Sequence, residues 1–237
     1  PIGIGEVAEL AQRHEAALDV LDPGLDDALR LRVARWAGAD LKKAGIADGN
    51  SVFLFNKIAK AYLEMKNQDS AARYLDLAMQ ANQKWNGQTK NVANGLCYSY
   101  KAELALLQNK PQKAIEYYQQ SVIQFHNEFS DTSFRSNPVN FNGAFSYIQL
   151  FNALSGKADA LALLYKQQKD RSVLDASLEA YTSAFRLANY VESTYDSDEA
   201  RLFLGKIKHQ VHSKPIDISI LLYELSNNIN YLEQAYQ

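Results

Sequence analysis

Cysteine is almost missing from this 237-residue chain, where Cys97 stands alone. No disulfide can form within one molecule, so nothing braces the fold covalently. Proline and glycine are sparse, at five and eleven residues, which excludes collagen-like and Gly- or Pro-rich architectures. No stretch alternates polar and apolar residues long enough to nucleate a sheet. An excess of one charge is lacking too. A net charge of -2 and an isoelectric point near 6.1 give no electrostatic footprint for phosphate backbones or anionic lipid, so neither nucleic acid nor membrane is an expected partner. No apolar run approaches the roughly 18 to 20 residues that span a bilayer. The amino end, Pro1-Ile2-Gly3-Ile4-Gly5, has no basic segment followed by an apolar core, so a retained signal peptide is not expected, although the initial proline leaves an already cleaved one open. A single thiol fits a reducing compartment, and the expected location is the cytoplasm.

What remains is helical. Ala, Leu, Gln, Glu and Lys dominate the periodic segments, which predicts an all-α fold. A hairpin pattern recurs in it. Phe55-x-x-Ile58-Ala59-x-x-Tyr62 precedes Ala71-x-x-x-Leu75-x-x-Ala78, and Tyr98-x-x-x-Ala102 precedes Ala114-x-x-Tyr117-Tyr118. Small residues where two helices cross, with aromatics one turn on, mark stacked antiparallel helix pairs. Such pairs are predicted over about 51–65 with 69–85, and 92–108 with 111–129. Pro111 starts a helix, where a missing N–H costs least. Residues 130–142 read as irregular. Helix returns over 143–154 and 158–168, with Gly156 permitting a break or a kink between them. The next helix, 173–194, carries Ala176, Ala180, Ala184 and Ala188 as a small-residue ridge.

A second echo follows. Leu164-Tyr165 with Leu174-Asp175-Ala176 is matched by Leu222-Tyr223 with Leu232-Glu233-Gln234-Ala235. A helix over 197–212 lies between, and the last helix, from about Asn230, makes barely two turns before Gln237, so the array reads as cut off in mid-repeat. Residues 1–49 differ from the rest. They contain no Tyr or Phe and are predicted to form one hairpin, about 6–20 and 26–44, either a divergent cap or a segment grafted onto the array of residues 50–237.

From Ser51 to Gln237 the chain resembles the tetratricopeptide (TPR) region upstream of caspase-like CHAT protease domains in bacterial proteins. The TPR-like pairs carry this, together with Leu161 to Gln168, Tyr181, Ser193 to Tyr195, Ala200 to Leu204 and Leu222-Tyr223. The resemblance implies a right-handed α-solenoid that serves as the sensing or regulatory scaffold of a larger protein. It also implies that any protease chemistry lies on a separate domain. CHAT proteases use a histidine followed by glycine, whereas His14, His126, His209 and His212 precede Glu15, Asn127, Gln210 and Ser213. No catalytic residue, metal site or cofactor is therefore expected.

TPR phasing puts Asn56, Lys60 and Leu63, then Ser99, Glu103 and Leu106, on the concave face as candidate peptide-binding residues, with Asn and Lys suited to a peptide carboxylate. The rival readings are a stand-alone adaptor, an engineered chimera, and a hydrolase using Cys97 with His126 as base. Cys97 sits in an apolar run without a visible orienting group, which favours a core filler. His209 and His212 share a helix face but lack further ligands at metal spacing. Apolar residues at the carboxyl end, among them Leu232, suggest weak self-association.

Overall fold

The computed structural model describes residues 49–194, Gly205 and 213–235. The predicted amino-terminal hairpin, the helix predicted over 197–212 and His209 with His212 lie outside the described residues. The chain divides into two compact units, Pro1–Thr89 and Lys90–Gln237. Among the described residues the fold is all-α, with no strand and one isolated bridge between His126 and Ala144.

In the first unit, α1 (Gly49–Glu64) packs against α2 (Gln68–Asn86). Ala59, Ala71 and Ala78 are all fully buried, as small side chains suited to a close helix crossing. Tyr62 stacks on Tyr74 with ring centroids 5.6 Å apart. Asn67 opens α2 by accepting a hydrogen bond from the Ser70 amide at 3.1 Å.

The second unit holds three more hairpins: α3 (Val92–Leu107) with α4 (Pro111–Phe125), α5 (Tyr147–Gln168) with α6 (Arg171–Thr194), and α7 (Ser213–Ser226) with the short α8 (Asn230–Ala235). Successive hairpins touch, α4 on α5 and α6 on α7. One core cluster joins Ala102, Ala114 and Ile115 to Leu161, Leu174, Tyr181 and Leu222. A second lies along Phe125, Phe141, Leu150, Leu154 and Leu187. The Ala176, Ala180, Ala184 and Ala188 ridge is buried throughout.

Among the described residues, all four hairpins close through one left-handed residue: Lys66, Asn109, Lys169 and Asn227, with φ of 56°, 56°, 59° and 53°. The first two turns are identical in hydrogen bonding. Asn67 N–H donates to the Tyr62 carbonyl and Lys66 N–H to Leu63, just as Lys110 N–H donates to Ala105 and Asn109 N–H to Leu106. This is the Schellman closure, which satisfies carbonyls left over at a helix end. The last two turns use the simpler single bond, Lys169 N–H to Tyr165 and Asn227 N–H to Tyr223, both 2.7 Å.

Three boundaries differ from expectation, one being the start of α5 at Tyr147 rather than near residue 143. Helix α5 runs unbroken through Gly156. A Cβ there would lie 2.5 Å from the Tyr118 ring, so the glycine serves the close approach of α4 rather than a break. Helix α4 stops at Phe125, four residues before Phe129. His126 turns extended, at φ -132° and ψ 124°, and its ring takes over the backbone groups that follow.

Candidate interaction surfaces

Residues 126–146 between α4 and α5 form a long connection with no helix of its own, and segments of that length in compact domains are commonly binding elements. Such a loop exposes backbone carbonyls that need donors. Side chains from three helices supply them. Ser183 of α6 donates to the Pro138 carbonyl at 2.9 Å, and the Tyr190 hydroxyl donates to the Asn142 side-chain oxygen at 2.8 Å. Gln119 of α4 donates its amide to the Asp131 carbonyl at 2.7 Å and, more weakly, to that of Ser136 at 3.3 Å. Lys157 of α5, fully buried, donates to the Gln119 side-chain carbonyl at 2.6 Å and to the Ser136 carbonyl at 2.9 Å.

His126 pins the loop from its other side. Its Nδ1 faces the backbone N–H groups of Glu128 and Phe129, both at 3.2 Å, and so must accept. The proton therefore sits on Nε2, which donates to the Asn140 carbonyl at 2.6 Å. Lys90 closes the arrangement. Its ammonium donates to the carbonyls of His126, Asn127 and Phe129 at 3.0, 2.9 and 2.7 Å and to the Ser130 hydroxyl at 2.9 Å. A cation on the carbonyls just past the end of α4 also meets the negative end of that helix.

Burial disfavours charge on Lys157 and pulls it down to about 7, although Asp131 on the loop and Glu179 on α6 oppose the shift. A neutral amine has two N–H groups, matching its two acceptors. The anchored loop displays Val139, which is 82% exposed between the buried Pro138 and the His126-bound Asn140, with Phe145 and Ile148 also exposed further along.

The residues selected by repeat phasing divide unevenly. In the first unit Asn56 and Leu63 are buried and only Lys60 is part-exposed. In the second unit Ser99, Glu103 and Leu106 are all part-exposed. The Ser99 hydroxyl is joined to that of Ser121 at 2.6 Å, and Leu106 packs against the core. Asn56 and Leu63 thus offer no surface to a peptide. Cys97 is fully buried, and both nitrogens of His126 are engaged with the loop.

Sequence reasoning passed over two polar junctions between the second and third hairpins of this unit. Asp159 on α5 accepts from the Tyr181 hydroxyl at 2.6 Å and from Lys214 of α7 at 2.8 and 2.9 Å. Asp175 on α6 accepts from the Tyr231 hydroxyl of α8 at 2.8 Å, and Arg171 donates to that hydroxyl at 3.2 Å. Of the two carboxylates, only Asp175 stood within the Leu-Tyr echo.

Among the described residues no helix is long and apolar enough to cross a membrane, and no group of three or more His, Cys, Asp or Glu is placed to hold a metal ion. No protein-family model matches the chain, and neither the curated proteins nor the solved structures contain a match to it.

Proposed function

We propose that this chain is a protein-binding scaffold, a right-handed stack of TPR-like hairpins that forms the cytoplasmic sensing or regulatory part of a larger protein of the TPR–CHAT kind. The observation that carries this reading is the repeated closure of antiparallel hairpins by one left-handed residue, at Lys66, Asn109, Lys169 and Asn227. Helix pairs of that kind bury their apolar faces against one another and leave an extended surface for a partner. The engaged His126 and the buried Cys97 support a role without chemistry of its own. Lys60 in the first unit, and Ser99, Glu103 and Leu106 in the second, are the part-exposed members of the candidate set.

Affinity capture from a bacterial lysate tests this, with the wild-type chain, Lys60→Glu and Glu103→Lys as parallel baits of equal helicity. Proteins enriched by the wild type and lost with either charge reversal are the expected result. The same proteins on all three baits would remove these positions from the binding face. A hydrolytic activity that vanished in Cys97→Ser, at unchanged circular dichroism, would overturn the non-catalytic reading.

A further inference from the structure

The α7–α8 hairpin repeats α5–α6 at a constant offset of 58 positions, from Lys169 to Asn227 and from Tyr165 to Tyr223. The match extends to hydrogen bonds. Ser172 N–H donates to the Asp170 side chain at 2.9 Å, and Asn230 N–H to that of Asn228 at 3.1 Å. Val173 N–H donates to the Asp170 carbonyl and Tyr231 N–H to that of Asn228. The buried Leu164 corresponds to the buried Leu222.

The same offset relates the acceptors that hold hairpin to hairpin. Asp159, which receives Lys214, corresponds to Asp217, and Asp175, which receives Tyr231, corresponds to Glu233. Both α7–α8 acids are exposed. The apolar positions follow suit. Ala158 is buried and Ala162 part-buried on α5, whereas their counterparts Ile216 and Ile220 on α7 are 41% and 40% exposed. By helical spacing Ile216, Asp217, Ile220 and Glu224 fall on one side of α7. Apolar surface with carboxylates at its edge suits a partner with an apolar helix stripe flanked by hydrogen-bond donors.

We propose that the outer face of α7–α8 is a docking site for a further helical hairpin. That hairpin carries a lysine at the start of its first helix for Asp217 and a tyrosine on its second for Glu233, with apolar side chains over Ile216 and Ile220. The junction between α5–α6 and α7–α8 is the template: continuing the same interface by one step produces this occupant. The inference rests on the scaffold reading and specifies one partner class for it.

The test adds a synthetic peptide of residues 213–235, free and in a lactam-locked helical form, to the full-length chain and follows binding by fluorescence anisotropy. Saturable binding is expected, weakened at least tenfold by Asp217→Lys or Ile220→Asp in the full-length chain. Binding should be indifferent to Lys60→Glu and Glu103→Lys, which separates this outcome from the lysate experiment. Absence of binding by both peptide forms at millimolar concentration would overturn the proposal. So would binding that ignores Asp217 and Ile220 but is abolished by Asp159→Lys, since the peptide would then be displacing the chain's own α7.

Discussion

Lys157 and Gln119 meet at 2.6 Å between α5 and α4, both shut off from solvent, and together they grip the Ser136 carbonyl from two directions. A lysine placed so deeply ties the loop to the helices at the cost of desolvating its own charge. The pH dependence of stability should expose that cost. The folded value near 7 lies below the ordinary 10.5, so between them the unfolded chain binds one more proton than the folded one. Stability should therefore rise with pH through this window, by at most about 1.4 kcal/mol per pH unit. Below about pH 7 both states are protonated, and this contribution is flat. Burial pushes the Tyr118 and Tyr181 hydroxyls well up, helped at Tyr181 by its hydrogen bond to Asp159. Unfolded tyrosines ionise first, so stability should fall again above about pH 10. Urea titrations from pH 6 to 11 should show this maximum, with the rising limb absent in Lys157→Met. A rising limb that persisted in Lys157→Met would place its origin elsewhere.

Gly156→Ala sets two effects against each other. Helix propensity alone favours alanine by about 1 kcal/mol. The new methyl, however, would stand 2.5 Å from the buried Tyr118 ring, and overpacking of that kind costs about 1 to 3 kcal/mol. Packing should win, with a net loss on the order of 1 kcal/mol. In a Tyr118→Ala background the same change should become neutral or stabilising, so a double-mutant cycle reads the clash directly.

Lys90→Met keeps the length of the side chain and removes its donors. The carbonyls of His126, Asn127 and Phe129 would then lose their shared cation. A loss of about 1 to 2 kcal/mol is expected, within the range for hydrogen bonds to a charged group. Amide exchange at Glu128 and Phe129 should accelerate more than in the middle of α5. Unchanged exchange there would show that His126 alone holds these two amides.

The helices and their crossings were legible because they depend on local order. Ala71 and Ala114 stand fully buried where the alanine pattern put them, and Pro111 opens α4. The break allowed for at Gly156 does not occur, because a glycine chosen for a neighbour's ring looks, in sequence, like one chosen for its backbone. Lys157 left no signal at all. Its partners lie 21 and 38 positions away and are neutral oxygens, so no opposite charge marks the pairing. Asn56 and Leu63 show the limit of phasing. The repeat places them by period, but burial depends on neighbours that the period does not describe.

The left-handed turns offer a test of opposite sign, in which a mutation should stabilise. A lysine at φ 56°, as at Lys66, holds its Cβ against the following carbonyl, a strain of about 1 to 2 kcal/mol for an ordinary L-residue. Glycine removes it but loses more chain entropy on folding. The balance should leave Lys66→Gly more stable by about 0.5 to 1 kcal/mol. Lys169→Gly should gain less, because the Lys169 ammonium sits 5.5 Å above the Tyr165 ring, a contact worth about 0.5 to 1 kcal/mol at an exposed site. Asn227→Gly should change stability by only a few tenths of a kcal/mol, since asparagine tolerates this conformation. Lys166→Gly, in the last helical turn of α5, should instead destabilise by about 1 kcal/mol. Denaturant midpoints for the four variants give the ranking. If Lys66→Gly proved no more stable than Lys166→Gly, the left-handed closure would not be the strained element shared by these hairpins.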